Sequence, residues 1–172
     1  MARTEAAIGS QPLNISITRM SEHDLLEVVE IEEVCGLSPW GWDSYHHEFS
    51  SGRDVIMLVA KITGGRTAIA EGKRIAGFIV SRVIADELHV NNVAVRPEYQ
   101  RLGIGGRLLR SALRHGANQG SKTAFLEVRS SNLAAQALYR RCDFRSAGRR
   151  TDYYRDPIED ALIMSVSLTS DA

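Results

Sequence analysis

The chain begins with an alternating pattern of apolar and polar residues and then changes to a helical pattern. In "LNISITR", Leu13, Ile15 and Ile17 alternate with polar residues, which predicts a half-buried strand. In "SEHDLLEVVEIEEVCG", apolar residues follow at helical spacing between Ser21, a helix-capping residue, and Gly36, a helix stop. We therefore predict one strand and one helix, and the acidic residues between the apolar positions predict an acidic outer face.

The next segment is aromatic and then strand-like. Four of the 11 aromatic residues lie in "SPWGWDSYHHEF", for which we predict a loop and a short second helix. The runs "VIMLVAK", "TAIA", "RIAGFIVSRVI" and "ELHVNNVAV" follow, separated by the turn signals "TGG", "EGK" and "AD". These runs predict an antiparallel meander.

The second half of the chain alternates between the two periods. Apolar residues at positions 104, 108, 109, 112 and 113 form a helical stripe that ends near Gly116 and Gly120. "KTAFLEVR" predicts a strand, "SNLAAQALYRRCDF" a helix capped by Ser131 or Asn132, and "DALIMSVSL" a closing strand. The fold class that follows is α/β (α+β), with a mixed, mostly antiparallel sheet and helices on both faces.

Length and composition indicate one ordinary domain. The 172 residues are 44% hydrophobic, which is enough to bury a core, so we predict a flexible tail over residues 1–12 and a single domain over residues 13–168. The longest wholly apolar run, residues 55–60, is far shorter than the roughly 20 residues of a membrane-spanning helix. We expect a soluble, cytoplasmic protein with no membrane partner. Cys35 and Cys142 are too few for a disulfide framework and are assigned to packing.

A formal net charge of zero conceals two regions of opposite sign. Residues 96–150 contain 12 Lys and Arg and 3 Asp and Glu, a charge of +9, so the remainder of the chain carries −9. A nucleic-acid-binding domain is usually basic as a whole. We therefore expect no nucleic-acid partner, and a small polyanionic ligand in the basic half.

The stretch "PEYQRLGIGG" places a glycine-rich turn between a strand and a helix. Such a turn favours anion binding, because unpaired N–H groups and the positive end of the helix dipole point at one spot. A phosphate-binding P-loop would need Gly-Lys-Ser/Thr, and a dinucleotide fingerprint meets Leu108 where its third glycine belongs. A third pattern, Q/R-x-x-G-x-G/A, is matched by residues 100–105 at each fixed position. An ordinary tight turn is the structural alternative.

With this motif the chain resembles the GNAT acyltransferases, in which the loop holds the pyrophosphate of coenzyme A. The resemblance covers residues 13–168, and three blocks resemble the RimI-type ribosomal-protein N-terminal alanine acetyltransferases: "NNVAVRPEYQRLGIGGRLL", "FLEVRSSNLAAQALYRRCDF" and "DYYRDPIEDALIMSVSL". It implies the GNAT fold, acetyl-CoA as cosubstrate, no metal, and the N-terminus of a basic ribosomal protein as acceptor. The alternatives are an acetyltransferase for lysine or a small amine such as a polyamine, a non-catalytic CoA-binding domain, and an NAD-binding module.

The resemblance also assigns cofactor-binding residues. They lie on the strand before the turn, in the turn itself and at the start of the last helix: Val93, Ala94, Val95, Arg101, Leu102, Gly103, Ile104, Gly105, Gly106 and Asn132. The glycines would let the backbone approach the phosphates closely. Core packing explains the three strand residues equally well, and Asn132 is also a helix N-cap.

Two residues receive catalytic roles from the resemblance. Glu127, in "FLEVR", would be the general base, and Tyr139 would donate a proton to the departing thiolate. A free glutamate is a weak base at neutral pH, so we expect burial or a water relay to assist it. The structural alternatives are an ion pair of Glu127 with Arg129 or another arginine, and a tyrosine half-buried in the core. "CDF" stands where the family usually has Leu-Gly-Phe, so Asp143 must adopt a backbone conformation typical of glycine.

The acceptor side is predicted less directly. The first helices of GNAT enzymes border the acceptor, so acidic residues there would attract a cationic peptide. Aromatic residues could line the acceptor groove or pack in the core: Trp40, Trp42, Tyr45, Phe49, Tyr153 and Tyr154. His46 and His47 adjoin Glu48, but adjacent histidines on a helix point in different directions, so we expect no metal site there. The long hairpin around positions 64–72 receives no functional interpretation.

Overall fold

The computed structural model describes residues 13–37, 39–63 and 72–169. The predicted tail over residues 1–12 and the predicted strand in "TAIA" lie outside the described residues. The strands are β1 (Ile15–Arg19), β2 (Val55–Ile62), β3 (Ile75–Ile84), β4 (Glu87–Val95), β5 (Thr123–Arg129), β6 (Arg145–Arg155) and β7 (Ile158–Ser167). The α-helices are α1 (Leu25–Val34), α2 (Gly41–Ser50), α3 (Ile104–Asn118) and α4 (Leu133–Arg140).

The described strands form one mixed sheet in the order β1-β2-β3-β4-β5-β7-β6. β4 and β5 are parallel, and the other neighbouring pairs are antiparallel. This arrangement confirms the predicted mixed, mostly antiparallel sheet. None of the helices in the described part of the chain is long and apolar enough to cross a membrane.

Helices cover both faces of the sheet, and the sequence of β2 explains why. Leu58 and Ala60 belong to one core cluster with Leu108 of α3, whereas Met57 and Val59 belong to a second cluster with the first helix. Successive side chains of a strand point to opposite faces, so a strand that is apolar at every position is buried on both. The described residues therefore contain two cores, with α3 and α4 on one side and α1 and α2 on the other.

The strand β6 was not predicted from the sequence. Its eleven residues, "RSAGRRTDYYR", carry no alternation of apolar and polar residues, and most of them are exposed. β6 lies at the edge of the sheet and pairs with β7. An edge strand faces solvent and commonly carries charged residues, so a hydrophobic pattern could not reveal it.

The two central parallel strands separate partway along their length, and this separation creates the cleft. β4 pairs with β5 from Glu87, opposite Thr123, to Val90, opposite Leu126. Asn91 is then an extra residue in β4, because Val80 of β3 lies opposite Asn92 and the next residue of β3 lies opposite Val90. Beyond it, residues 92–95 continue along β3 while residues 127–129 continue along β7. The edge of β4 beyond the bulge therefore faces the cleft.

Candidate active site

Two residues of the glycine turn have left-handed backbone conformations. Arg101 has φ +65° and Gly103, the N-cap of α3, has φ +77°. A Cβ added to Gly103 would meet no atom within 4 Å, so its conformation, and not crowding, requires glycine. The first N–H groups of α3 follow this turn, and such groups have no partner inside a helix. The turn thus ends at a set of N–H donors suited to an anion.

Gly105 and Gly106 have packing roles that the sequence did not indicate. A Cβ on Gly105 would lie 3.1 Å from Cδ2 of Leu138, so this glycine lets α3 approach α4 closely. A Cβ on Gly106 would lie 3.1 Å from the guanidinium group of Arg110. Arg110 therefore covers the first turn of α3. The predicted approach of phosphates to these glycines stays a prediction.

The predicted cofactor residues differ in exposure. Arg101 and Leu102 are exposed, whereas Ile104 is 2% exposed and anchors α3 in the core. On β4, the backbone oxygen of Val95 accepts hydrogen bonds from Nε2 of Gln100 at 2.9 Å and from Sγ of Cys35 at 3.3 Å. The carbonyl of Val95 is thus used within the protein, and the backbone of Ala94 points to β3, so the strand edge at Val93 remains at the cleft.

Glu127 lies one residue beyond the last pairing of β5 with β4. Its side chain is 28% exposed, and Oε1 lies 2.7 Å from Nε of Arg150 on β6. A hydrogen bond to Glu127 also raises the pKa of the Tyr153 hydroxyl. The carboxylate is therefore less enclosed than expected. The ion-pair alternative is present in the structure, with Arg150 as the partner and not Arg129.

Tyr139 is a core residue of α4 at 7% exposure, and its ring centroid lies 6.1 Å from that of Phe144. Burial, with a smaller contribution from Tyr154, raises the pKa of Tyr139, so the hydroxyl keeps its proton. A buried hydroxyl that stays protonated can donate a hydrogen bond to a developing anion. Near the end of α4, Asp143 has φ +66°, as its glycine-like position required.

Comparison with known proteins gives the family to which this geometry belongs. The sequence model of the family described as "Acetyltransferase (GNAT) family" matches residues 25–144. The chain belongs to the GNAT acetyltransferase family. The ribosomal protein bS18-alanine N-acetyltransferase of Escherichia coli strain K12 is 33% identical over 156 residues, which are 90% of this chain and 98% of that relative. This similarity confirms the resemblance inferred from the three sequence blocks.

Solved structures confirm the GNAT fold. The crystal structure of the ribosomal-protein-S18-alanine N-acetyltransferase from E. coli has a TM-score of 0.78 at 30% identity, covering 92% of this chain and 97% of that chain. Arabidopsis thaliana NAA60 in complex with acetyl-CoA also has a TM-score of 0.78, covering 90% of this chain and 98% of that chain. At 16% identity it supports the fold alone.

In this GNAT domain, Asn132 begins α4 and Glu159 holds the preceding turn. Oδ1 of Asn132 accepts a hydrogen bond from the N–H of Ala135 at 3.0 Å, which confirms its predicted role as a cap. Glu159 of β7 accepts from the N–H of Ser131 at 2.6 Å and pairs with Arg129 at 3.3 Å. Hydrogen bonds from the side chain and backbone of Ser131 lower the pKa of Glu159 to about 2. Arg129 is thus committed to Glu159 and to the ring of Tyr154, 4.1 Å away.

On the first helix of this GNAT domain, the predicted acidic outer face is wrong for Glu32, whereas Glu30 is 48% exposed and is paired there with an arginine. Glu30 makes two hydrogen bonds, of 2.9 and 3.1 Å, to the guanidinium of Arg96, whose side chain is 2% exposed. Glu32 is 1% exposed and accepts hydrogen bonds from the N–H of Trp40 at 2.8 Å and the hydroxyl of Tyr45 at 2.7 Å.

Two further carboxylates near the start of α1 are also used internally. Glu27 accepts hydrogen bonds from the N–H groups of Arg74 and Ile75, both at 2.9 Å. Asp24 is buried and pairs with Lys61 at 3.2 Å. These acidic residues hold α1 to the sheet. No local sequence pattern predicts these contacts, because the partners come from distant parts of the chain.

The aromatic residues near α2 divide between core and surface. Tyr45 is fully buried, and its hydroxyl accepts a hydrogen bond from Nδ2 of Asn92, the first residue of β4 after the bulge, at 3.0 Å. Trp42 is 40% exposed and stacks on His46. For Tyr45, core packing is therefore the correct alternative.

Proposed function

We propose that the protein transfers the acetyl group of acetyl-CoA to the N-terminal alanine of a small-subunit ribosomal protein. The observation that carries the proposal is the position of Glu127, next to the separation of β4 from β5, in a chain 33% identical to a bS18-alanine N-acetyltransferase over 90% of its length. The acceptor is inferred from that relative's name. The roles of Glu127, Tyr139 and the cofactor residues are inferred from the family pattern together with this geometry.

The residues around the cleft suit acetyl-CoA. The first N–H groups of α3 and the guanidinium of Arg110 beside them would hold its diphosphate, and the edge of β4 at Val93 would hold the pantetheine arm. Arg101 adds an exposed cation to the same turn. Acetyl-CoA supplies the acetyl thioester, and the protein supplies proton transfer and orientation.

The acceptor amine must lose a proton before it attacks the thioester. An α-amino group has a pKa of about 8 and a lysine ε-amine about 10.4, so an N-terminal amine is the easier acceptor near neutral pH. Glu127 takes that proton, directly or through a water. The nitrogen then bonds to the thioester carbon to give a tetrahedral intermediate. Its collapse re-forms the carbonyl and breaks the C–S bond, and the second proton of the nitrogen passes to water. Tyr139, kept protonated by burial, gives a hydrogen bond and then a proton to the departing sulfur, and regains a proton from water.

Two alternatives make different predictions. An acetyltransferase for lysine or a polyamine would prefer those amines to a peptide that begins with alanine. A non-catalytic CoA-binding domain would bind acetyl-CoA and release no free thiol. Mass spectrometry of peptides treated with the purified protein and acetyl-CoA distinguishes all three, and a preference for free lysine or spermidine would overturn the proposed acceptor.

The catalytic assignments are tested by two substitutions with acetyl-CoA and peptide saturating. We expect Glu127→Gln to lower turnover on the order of a hundredfold, the usual contribution of a general base, with acetyl-CoA affinity nearly intact. We expect Tyr139→Phe to slow transfer, less so for thioesters with better leaving groups. Glu33→Gln on the exposed side of α1 is the matched control and keeps wild-type turnover. Undiminished turnover in both site variants would show that both assignments are wrong.

A further inference from the structure

The carboxylate of Glu127 already holds a cation where the acceptor amine must come. Nε of Arg150 lies 2.7 Å from Oε1, with the arginine side chain 57% exposed and the glutamate 28% exposed. The guanidinium also lies 5.6 Å from the ring centroid of Tyr153. The pair is therefore partly solvated, and its charges act on whatever enters the cleft beside it.

Strand register places Arg150 near Glu127. Ile163 of β7 lies between Glu127 of β5 and Gly148 of β6, so Arg150, two residues beyond Gly148, lies diagonally across from Glu127 on the same face of the sheet. The register of β6 with β7 shifts between Arg150 and Tyr154, so the residues between them bulge out of the ladder. Asp152 in this bulge has φ +50°, and its N–H donates to Oδ1 of Asp160 at 3.0 Å. This bulge, which follows Arg150, brings Tyr153 to Glu127.

Three carboxylates at this end of the sheet are paired with arginines. Glu127 pairs with Arg150, and Glu159 pairs with Arg129 at 3.3 Å. Asp160 pairs with Arg149 at 3.0 Å. These three described carboxylates thus contribute no net negative charge to the cleft. Without Arg150, the carboxylate of Glu127 would be unbalanced.

We propose that Arg150 determines acceptor specificity by neutralising Glu127. An unbalanced carboxylate beside the reacting amine would attract acceptors that carry a second cation close to that amine, as a polyamine does. With Arg150 in place, such an acceptor gains no extra attraction and meets repulsion from the guanidinium. A peptide N-terminus with neutral neighbouring residues presents one charge and is not penalised. Specificity then arises from disfavouring the wrong acceptor. This inference rests on the proposed role of Glu127.

The test compares Arg150→Gln with the wild type on two acceptors at saturating acetyl-CoA. The acceptors are a neutral peptide that begins with alanine and spermidine, the latter also measured as a competitive inhibitor of peptide acetylation. In Arg150→Gln at low salt, we expect the peptide KM divided by the spermidine KM, or by the spermidine Ki, to rise about fivefold above its wild-type value. This is the size expected for one partly exposed charge. The shift shrinks in 0.5 M salt, which shortens the range of the interaction.

Two control variants separate charge from structure. Arg145→Gln, which removes an exposed arginine at the start of the same strand, should leave the ratio unchanged. Arg150→Lys keeps the charge and should keep the wild-type ratio, so a shift in Arg150→Lys equal to that in Arg150→Gln would overturn the inference. So would an unchanged ratio in Arg150→Gln while Glu127→Gln shows its expected loss of turnover. Full activity of Glu127→Gln would instead overturn the proposed base.

Discussion

The acidic first helix and the arginine-rich helix α3 use their charges in opposite ways. On α1, Glu30 pairs with the buried Arg96 and Glu32 is buried among hydrogen-bond donors. On α3, Arg107 donates to the backbone oxygen of Ile15 at 2.7 Å. Within the described residues, no carboxylate forms an ion pair with an arginine of α3. Three carboxylates of α1, on Glu27, Glu30 and Glu32, are therefore bonded within the domain, whereas the arginines of α3 have no carboxylate partner among the described residues.

This difference changes what the charge distribution means for function. The arginines of α3 line an open groove of about 740 Å³, together with Ile17, Ser111 and Leu113. Their positive potential remains available to an anionic ligand. The carboxylates of α1 are largely neutralised or buried, so the attraction of cationic peptides that the sequence suggested loses most of its physical basis.

The largest effect should come from breaking the ion pair between the two halves. Arg96→Ala removes a fully buried side chain together with its hydrogen bonds to Glu30 and to the backbone oxygen of Ile75, and we expect it to lower the free energy of unfolding by about 3 kcal/mol. Arg114→Ala on the exposed face of α3 should change it by less than about 0.5 kcal/mol. Urea unfolding of both variants measures the difference. Equal losses of unfolding free energy in the two variants would show that the charges of the two helices contribute alike to stability.

The next effect compares two adjacent glutamates of α1. Glu32→Gln removes a buried charge that accepts several hydrogen bonds, so we expect a loss of about 2 kcal/mol in the free energy of unfolding. Glu33→Gln, at an exposed position, should be nearly neutral. Urea unfolding midpoints again decide the outcome, and a neutral Glu32→Gln would mean that the buried carboxylate contributes little.

A smaller effect is expected on the basic side. Arg110→Gln should weaken acetyl-CoA binding by about threefold at low salt, because a partly exposed charge near a phosphate contributes only modestly. The free energy of unfolding of this variant should equal that of the wild type. Glu30→Gln on α1 should leave acetyl-CoA affinity at the wild-type value. Calorimetric titration of both proteins measures this, and equal affinity in Arg110→Gln would show that this arginine does not serve the cofactor.

The smallest effect is a pH dependence specific to α1. The hydrogen bond from Arg96 holds the pKa of Glu30 below its ordinary value of 4.5. The unfolded chain therefore takes up the proton first as pH falls, so the stabilisation is complete above pH 4.5 and is lost as pH falls through the lower folded value. The stability difference between wild type and Glu30→Gln should shrink below pH 4.5. For Arg107→Gln on α3, no such change is expected.

Periodicity predicted most of the secondary structure, and its failures have physical causes. The strand "ELHVNNVAV" matches β4 over Glu87–Val95 because its pattern reflects burial against both cores. Periodicity did not predict β6, because an exposed edge strand needs no apolar residues. For the candidate site, the family pattern indicated Glu127 and Tyr139, but Arg150 could not be paired with Glu127 without the register of β5, β7 and β6.

By itself, the sequence determined the local features of this protein: the periods of strands and helices, the cap at Asn132, and the left-handed turn at Gly103. Each depends on interactions within a few residues, which the chain carries in its own order. Only the tertiary structure decided which charges meet. Glu30 and Arg96 are 66 residues apart in sequence, and Glu127 reaches Arg150 across the intervening strand β7. An ion pair requires atoms within about 4 Å, and only strand register and helix packing bring such distant residues that close.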